Sequence, residues 1–272
     1  MAAENWSVAE PRTIDVDGVT ALRAAIIGGR LDIVSHEQPT TRIEVTEVSG
    51  LPLDVNFDGS KLEIKPSQLS WDKFSWEGLK GIFAKGGKDD RAVVSILIPA
   101  GIPVSAATVA GEGLVSGAGG KVTVSTVTGS MMADATAGKL TANTVSGEVI
   151  VRDHEGTLVG NSVSGELTAS GTLDHVRMNT VGGDVSLDLI GQPSDLAVNT
   201  VSGDVLVRVP AGTGITLNAN TATGTILVND EKFPGAGRSV HRQVGPAEPS
   251  LKFNANTVSG NVSVFQPAGA QH

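Results

Sequence analysis

"NTVSGDV", residues 199–205, is one of six near-copies of the same heptad in a chain of 272 residues. The others are NTVSGEV from Asn143, NSVSGEL from Asn161, NTVGGDV from Asn179, NTATGTI from Asn220 and NTVSGNV from Asn256. Their glycines set a period. Gly111, Gly129, Gly147, Gly165 and Gly183 lie 18 residues apart, Gly203 follows after 20, Gly224 after 21 and Gly260 after 36. A second set, Gly120, Gly138 and Gly156, falls midway, and its next place, 174, is Asp. A fixed period near 20 is the signature of a solenoid, in which each repeat stacks on the last.

Within a repeat the alternation has a period of two, which is strand periodicity. Val201, Gly203, Val205, Val207 and Val209 share one parity and are assigned to the interior. Thr200, Ser202, Asp204, Leu206 and Arg208 share the other and are assigned to solvent. The expected fold is all-β: a single-stranded β-solenoid of about 18–21 residues per coil, with parallel strands about 4.8 Å apart. The inward glycine leaves room where opposing sheets approach or where a strand bends. Asn143, Asn161, Asn179, Asn199, Asn220 and Asn256 then stack as an amide ladder at a corner.

Composition agrees with thin rungs. There are 34 Gly, three Trp, six Phe and no Tyr, too few large side chains for a thick core. With 29 acidic and 20 basic residues the net charge is −9, which disfavours nucleic acid and anionic lipid as partners. The absence of cysteine removes disulfides, thiolate chemistry and Cys-ligated zinc. No charged-then-apolar leader and no membrane-length apolar run occurs, so a cytoplasmic location is expected.

One solenoid domain is expected over 1–272. Residues 1–103 form irregular early coils or a β-cap, with strands at RLDIVSH, TRIEVTEV, LPLDVNF, SKLEIKP and AVVSILIPAGIPV. Residues 104–266 form the regular repeats. A loop-flanked stretch, 229–250, interrupts them, with one coil running through it as the strand RSVHRQV. Residues 66–91 form an aromatic-rich, locally basic insertion. Trp71, Phe74, Trp76, Leu79, Ile82 and Phe83 give it an apolar character, and Phe74, Leu79, Ile82 and Phe83 fit one face of a short helix. It reads first as a cap on the open end of the solenoid and second as a docking element for a protein or a membrane surface.

The outward parity gives two Thr/Ser columns beside a partly acidic one. They comprise Thr144, Ser146 and Glu148 in one coil, Ser164 and Glu166 in the next, Asp184, and then Thr200, Ser202 and Asp204. The favoured reading is that these are ordinary exposed strand residues. Three functional readings compete. A calcium-binding β-roll needs two Gly-rich corners and an Asp, and only VGGDVSL from Val181 comes near. An ice-binding face needs regular Thr rows, which TATGT at Thr221 offers and the acidic column spoils. Flat contact with a protein or polymer is the third.

Catalytic signatures are missing: no G-x-S-x-G, H-E-x-x-H, P-loop or dinucleotide fingerprint occurs. His36, His154, His175 and His241 fall in turns or loop-flanked strands, and His272 ends the chain. In RDHEG, Asp153, His154 and Glu155 could hold a metal weakly but read as a solvated corner. No aromatic lies between Phe83 and Phe233, so the repeats lack a platform for sugar rings. No catalytic residue, metal site or cofactor is assigned.

The repeated NTVSGDV and NTVSGEV, after a strand-rich start ending in VSILIPAGIPV, resemble the bacterial "putative adhesin" domain of unknown function, the toastrack type. The resemblance covers about 12–266 and is strongest over 104–265. It implies a β-solenoid without known catalytic residues, in a family whose members are linked to envelope-stress or membrane-associated signalling. The expected function is therefore a non-enzymatic scaffold or protein-interaction module with an unidentified protein partner and peripheral membrane contact. The alternative is a surface-exposed, adhesin-like or calcium-binding β-roll protein.

Overall fold

The structure, a computed structural model, describes residues 3–67, 90–229, 231–234, 238–246 and 250–267. These residues form 24 strands and no helix. The insertion residues Trp71, Phe74, Trp76, Leu79, Ile82 and Phe83 lie outside the described residues.

The first eight strands are β1 (Glu4–Val8), β2 (Arg12–Asp17), β3 (Ala21–Ile26), β4 (Gly28–His36), β5 (Thr40–Ser49), β6 (Leu53–Phe57), β7 (Lys61–Pro66) and β8 (Arg91–Pro99). The repeats begin with β9 (Val104–Thr108), β10 (Glu112–Ser116), β11 (Gly119–Thr126), β12 (Ser130–Asp134), β13 (Ala137–Thr144) and β14 (Glu148–Ser162). They continue with β15 (Leu167–Thr180), β16 (Val185–Leu189), β17 (Asp195–Asn199), β18 (Val205–Arg208), β19 (Gly214–Thr221) and β20 (Thr225–Val228). The chain ends with β21 (Glu231–Pro234), β22 (Arg238–Val244), β23 (Ser250–Thr257) and β24 (Val262–Phe265).

The protein is an all-β solenoid with two facing walls. Across the first wall the spatial order is β1, β6, β7, β3, β9, β11, β13, β14, β15, β17, β23, β19, β22. Across the second it is β2, β5, β8, β4, β10, β12, β14, β15, β16, β18, β24, β20, β21. The central strands pair in parallel. β14 and β15 are long enough to bend through the corner and serve both walls.

Between the walls the inward side chains stack in files. Val122, Leu140, Leu158, Val176, Leu196, Phe253 and Leu217 are successive register partners, and all are buried. Each file removes apolar surface from water only when the next rung is in place, so no rung is stable alone.

The order of rungs departs from the order of the sequence at both ends. The pair β3/β4 sits between β7/β8 and β9/β10. The pair β23/β24 sits between β17/β18 and β19/β20. Gly260 therefore stacks on Gly203, and Gly224 stacks on Gly260. The stretch RSVHRQV is a strand, as expected, but it carries no coil. As β22 it turns back antiparallel to β19, while β21 turns back antiparallel to β20.

Antiparallel strands therefore finish the walls at both ends. At one end Trp6 packs against the core, and Arg42 binds Asp15 across β5 and β2 with Nε–Oδ1 at 2.8 Å. That hydrogen bond holds the exposed Asp15 carboxyl below the usual carboxylate range. At the other end the Arg242 guanidinium lies 5.0 Å above the ring centre of Phe233.

The motif glycines have a role other than thinning the core. A Cβ on Gly183 would fall on the carbonyl oxygen of Gly165, and a Cβ on Gly203 on that of Gly183. The rungs approach backbone to backbone at this corner, and any side chain there collides with the rung below. The midway set has the same need at Gly138 and Gly156, both at positive φ. Between β14 and β15 the register slips by one residue between Val151 and His154 and recovers between Gly156 and Thr157, where Gly156 faces Leu173, Thr157 faces His175 and Asp174 is the extra residue of a bulge.

Gly183→Ala is expected to destabilise the fold by about 3 kcal/mol through this overpacking. The neighbouring Gly182→Ala, which meets only ordinary contacts at 3.6 Å and beyond, should change stability by less than about 0.5 kcal/mol. Urea unfolding of both variants checks the contrast. Equal losses would place the tight approach elsewhere.

Candidate functional site

The heptad assigns each side chain a direction, and the structure shows what each position does. Its Asn points outward from the first wall. Asn143 Nδ2 donates to Ser125 Oγ at 3.2 Å, Asn161 to Asn143 Oδ1 at 2.9 Å and Asn179 to Asn161 at 3.2 Å. Asn199 donates to Asn179 at 3.1 Å, Asn256 to Asn199 at 3.0 Å and Asn220 to Asn256 at 2.8 Å. All six expected asparagines stand in one file, with Asn256 preceding Asn220 as the rung order requires.

The next position overturns an expectation. Thr144 and Thr200 were assigned to an outward column but point inward, with 0 % and 6 % of their surface exposed. Thr126, Ser162, Thr180, Thr221 and Thr257 are buried with them. Their hydroxyls close the corner. Thr200 Oγ1 accepts the Gly203 N–H at 3.0 Å, and Thr144 Oγ1 donates to the Gly147 carbonyl at 2.8 Å. The parity then changes at the corner. Val201, assigned to the interior, is 47 % exposed, and Val181 and Val258 on adjacent rungs are 52 % and 54 % exposed. A strict alternation cannot be carried through a turn, because the turn residues do not follow the pleat.

The remaining outward residues are where the sequence placed them. Ser146, Glu148, Ser164, Glu166, Asp184, Ser202 and Asp204 are all exposed. Several also bind the neighbouring rung. Asp184 Oδ1 accepts the Asp204 N–H at 2.8 Å, and Asp204 Oδ1 accepts the N–H of Asn261 at 2.8 Å and its Nδ2 at 3.0 Å. Ser202 Oγ donates to the Val181 carbonyl at 3.2 Å. Glu148 and Glu166 face solvent, with Glu166 Oε1 accepting from Thr168 Oγ1 at 3.5 Å. Among the described residues no group of three or more His, Asp or Glu could hold a metal ion.

RDHEG is not a solvated corner. Asp153 takes φ of 48°, which swings His154 inward to 1 % exposure. Nε2 lies 3.2 Å from the Thr157 carbonyl and Nδ1 2.9 Å from Thr136 Oγ1. Nδ1 also lies 3.0 Å from the Thr136 carbonyl, so a neutral ring donates either from Nε2 to the Thr157 carbonyl or from Nδ1 to the Thr136 carbonyl. Burial pushes the imidazole pKa below its ordinary value, against the opposing pull of the Thr157 and Thr136 backbone. Flanking Asp and Glu hide the burial of His154 from a reading of local composition. The rung spacing does give one, since 154 lies 18 residues after the buried Thr136.

Two further surfaces were missed by sequence reasoning. One is the valine ridge at the heptad corner. On the second wall beside it, Leu206 and Phe265 are 44 % and 41 % exposed. The other is a groove on the outer side of the first wall, towards the N-terminal end.

Comparison with known proteins places this architecture. A family model described as Toastrack DUF4097 matches residues 54–265. The crystal structure of a "putative lipid binding protein" from Parabacteroides distasonis ATCC 8503 aligns over 95% of this chain and 98% of its own, at 16% identity and a TM-score of 0.56. That of a "putative adhesin" from Parabacteroides merdae ATCC 43184 covers 97% of this chain and 96% of its own, at 11% identity and a TM-score of 0.50. At these identities the likeness shows the fold alone. No curated protein matches the chain significantly.

Two outcomes are expected at these polar positions. Below about pH 6.5 the unfolded chain takes up a proton at His154 that the folded chain resists, so stability falls as pH drops through that value. Urea midpoints at pH 7.5 and 5.5 should separate more for the natural chain than for His154→Gln. Asn161→Ala removes one donated and one accepted ladder bond and should cost about 1–2 kcal/mol, whereas Asn220→Ala, with one donated ladder bond at the exposed end, should cost less than half as much.

Proposed function

The chain belongs to the Toastrack DUF4097 family, and from that premise we propose that it is a non-catalytic scaffold that binds a protein partner. The observation that carries this reading is the division of labour within the heptad. Its Asn and Asp side chains join rungs, its Thr hydroxyl closes the corner within its own rung and its Gly lets the backbones touch, while Val181, Val201 and Val258 line up in the open on successive rungs. Backbone bonds between the rungs fix their spacing, with Ser202 N donating to the Val181 carbonyl at 2.9 Å and Ser259 N to the Val201 carbonyl at 2.9 Å. The ridge is rigid and apolar and is rimmed by Ser202 and Asp204, which matches the make-up of a protein-contact patch. The membrane-linked regulatory setting implied by the family resemblance is compatible with such a role. An adhesin-like role is the second reading. It rests on the shared fold of the Parabacteroides merdae protein and would use the same flat surface.

The test is a triple variant, Val181→Ser, Val201→Ser and Val258→Ser, used as bait beside the natural chain in cells of the source organism. The ridge lies outside the core, so the melting temperature should stay within a few degrees. A partner cross-linked by the natural chain should be lost from the variant. An unchanged set of cross-linked proteins would remove the ridge as the contact surface.

A further inference from the structure

On the outer side of the first wall, where the N-terminal strands meet the regular rungs, the surface sinks into a groove of about 540 Å³. The depth has a simple cause. Apart from Arg23, the outward positions that line it on β3 and β9 carry small residues, Ala21, Ser105 and Ala107, while Lys61 on β7 and Lys121 on β11 stand on either side. Small residues make the floor and long ones make the walls. The volume is in the range of small-ligand sites, and the described residues that line it are aliphatic, hydroxylic, amide or charged.

The charge of the groove opposes that of the molecule. The chain carries −9, yet the lining holds Arg23, Lys61 and Lys121 against one carboxylate, Glu63. Arg23 Nη1 lies 3.6 Å from Glu63 Oε1 in a partly exposed pair. Lys121 is the register partner of Lys139 on β13, and both are exposed. Among the described residues neither lysine forms an ion pair. Like charges set directly opposite each other across a strand pair repel, and an anion placed between them relieves that repulsion.

The asparagine ladder ends at the same place. Asn143 donates to Ser125 Oγ, and the next position in the file is Ala107, which has no side-chain acceptor. The Ser125 hydroxyl is thus the last member of a chain of hydrogen bonds donated in one direction, and its own proton has no acceptor further along the file. Such chains polarise their members and strengthen the terminal donor.

We propose that this groove binds a small anionic ligand presenting phosphate or carboxylate oxygens. Arg23, Lys61 and Lys121 supply the charge, and the hydroxyls of Ser125 and Thr123 supply hydrogen bonds. The site goes beyond the protein-scaffold reading and does not depend on it. It lies across the asparagine ladder from the valine ridge, so either can fail alone.

The test is amide chemical-shift titration of the full chain with inorganic phosphate and, separately, with acetate, both at constant ionic strength. The expected result is saturable shifts at residues 105, 123 and 125. The dissociation constant should rise about tenfold in Lys121→Gln and about threefold in Ser125→Ala, and it should hold in Lys252→Gln, which removes a lysine from the far end of the same wall. Saturation by phosphate alone assigns a phosphoryl ligand, by acetate alone a carboxylate, and by both the shared chemistry. Shifts that grow linearly with concentration, or equal weakening in Lys121→Gln and Lys252→Gln, would overturn the site in favour of diffuse attraction to surface lysines.

Discussion

Everything in this fold rests on two backbones touching. At the heptad corner the glycine of each rung lies against the carbonyl of the glycine below it, with no space for a β-carbon between them. That contact fixes the strand spacing along one edge of the solenoid. Once it is fixed, identical side chains on successive rungs are held at hydrogen-bonding distance without any choice of rotamer being left to chance. The Asn file, the Thr hydroxyls and the Asp184–Asp204–Asn261 series all follow from it.

This arrangement explains why the polar residues recur. In a globular core a buried Thr or a half-buried Asn must find a unique partner. In a solenoid the partner is the same residue one rung away, so a single solution can be written repeatedly. Thr200 satisfies the Gly203 N–H within its own rung, and Asn199 satisfies Asn179 across the gap. Polar repetition in this chain is therefore first a structural device, and function has to be sought in positions the device does not use.

Those positions are few, and they differ in character. The valine ridge is apolar and exposed, in a place where the chain turns and the core cannot reach. The groove is cationic in an anionic molecule and is shaped by a step from small to long side chains. His154 sits inside, neutral and fully enclosed, where it couples the fold to acid.

The sequence by itself determined the solenoid, the strand period, the six-asparagine ladder and the outward placement of Glu148, Glu166, Asp184 and Asp204, because each depends only on spacing along the chain. Three things needed the tertiary structure. The inward turn of Thr144 and Thr200 and the outward turn of Val201 depend on how the corner bends, and alternation says nothing about a bend. The insertion of β23/β24 between earlier rungs depends on which edges the antiparallel strands β21 and β22 occupy, and near-identical heptads pair equally well in either order. The groove depends on side chains from β3, β7 and β11 meeting across a wall whose strand order is not that of the chain, so its charge is visible only after folding.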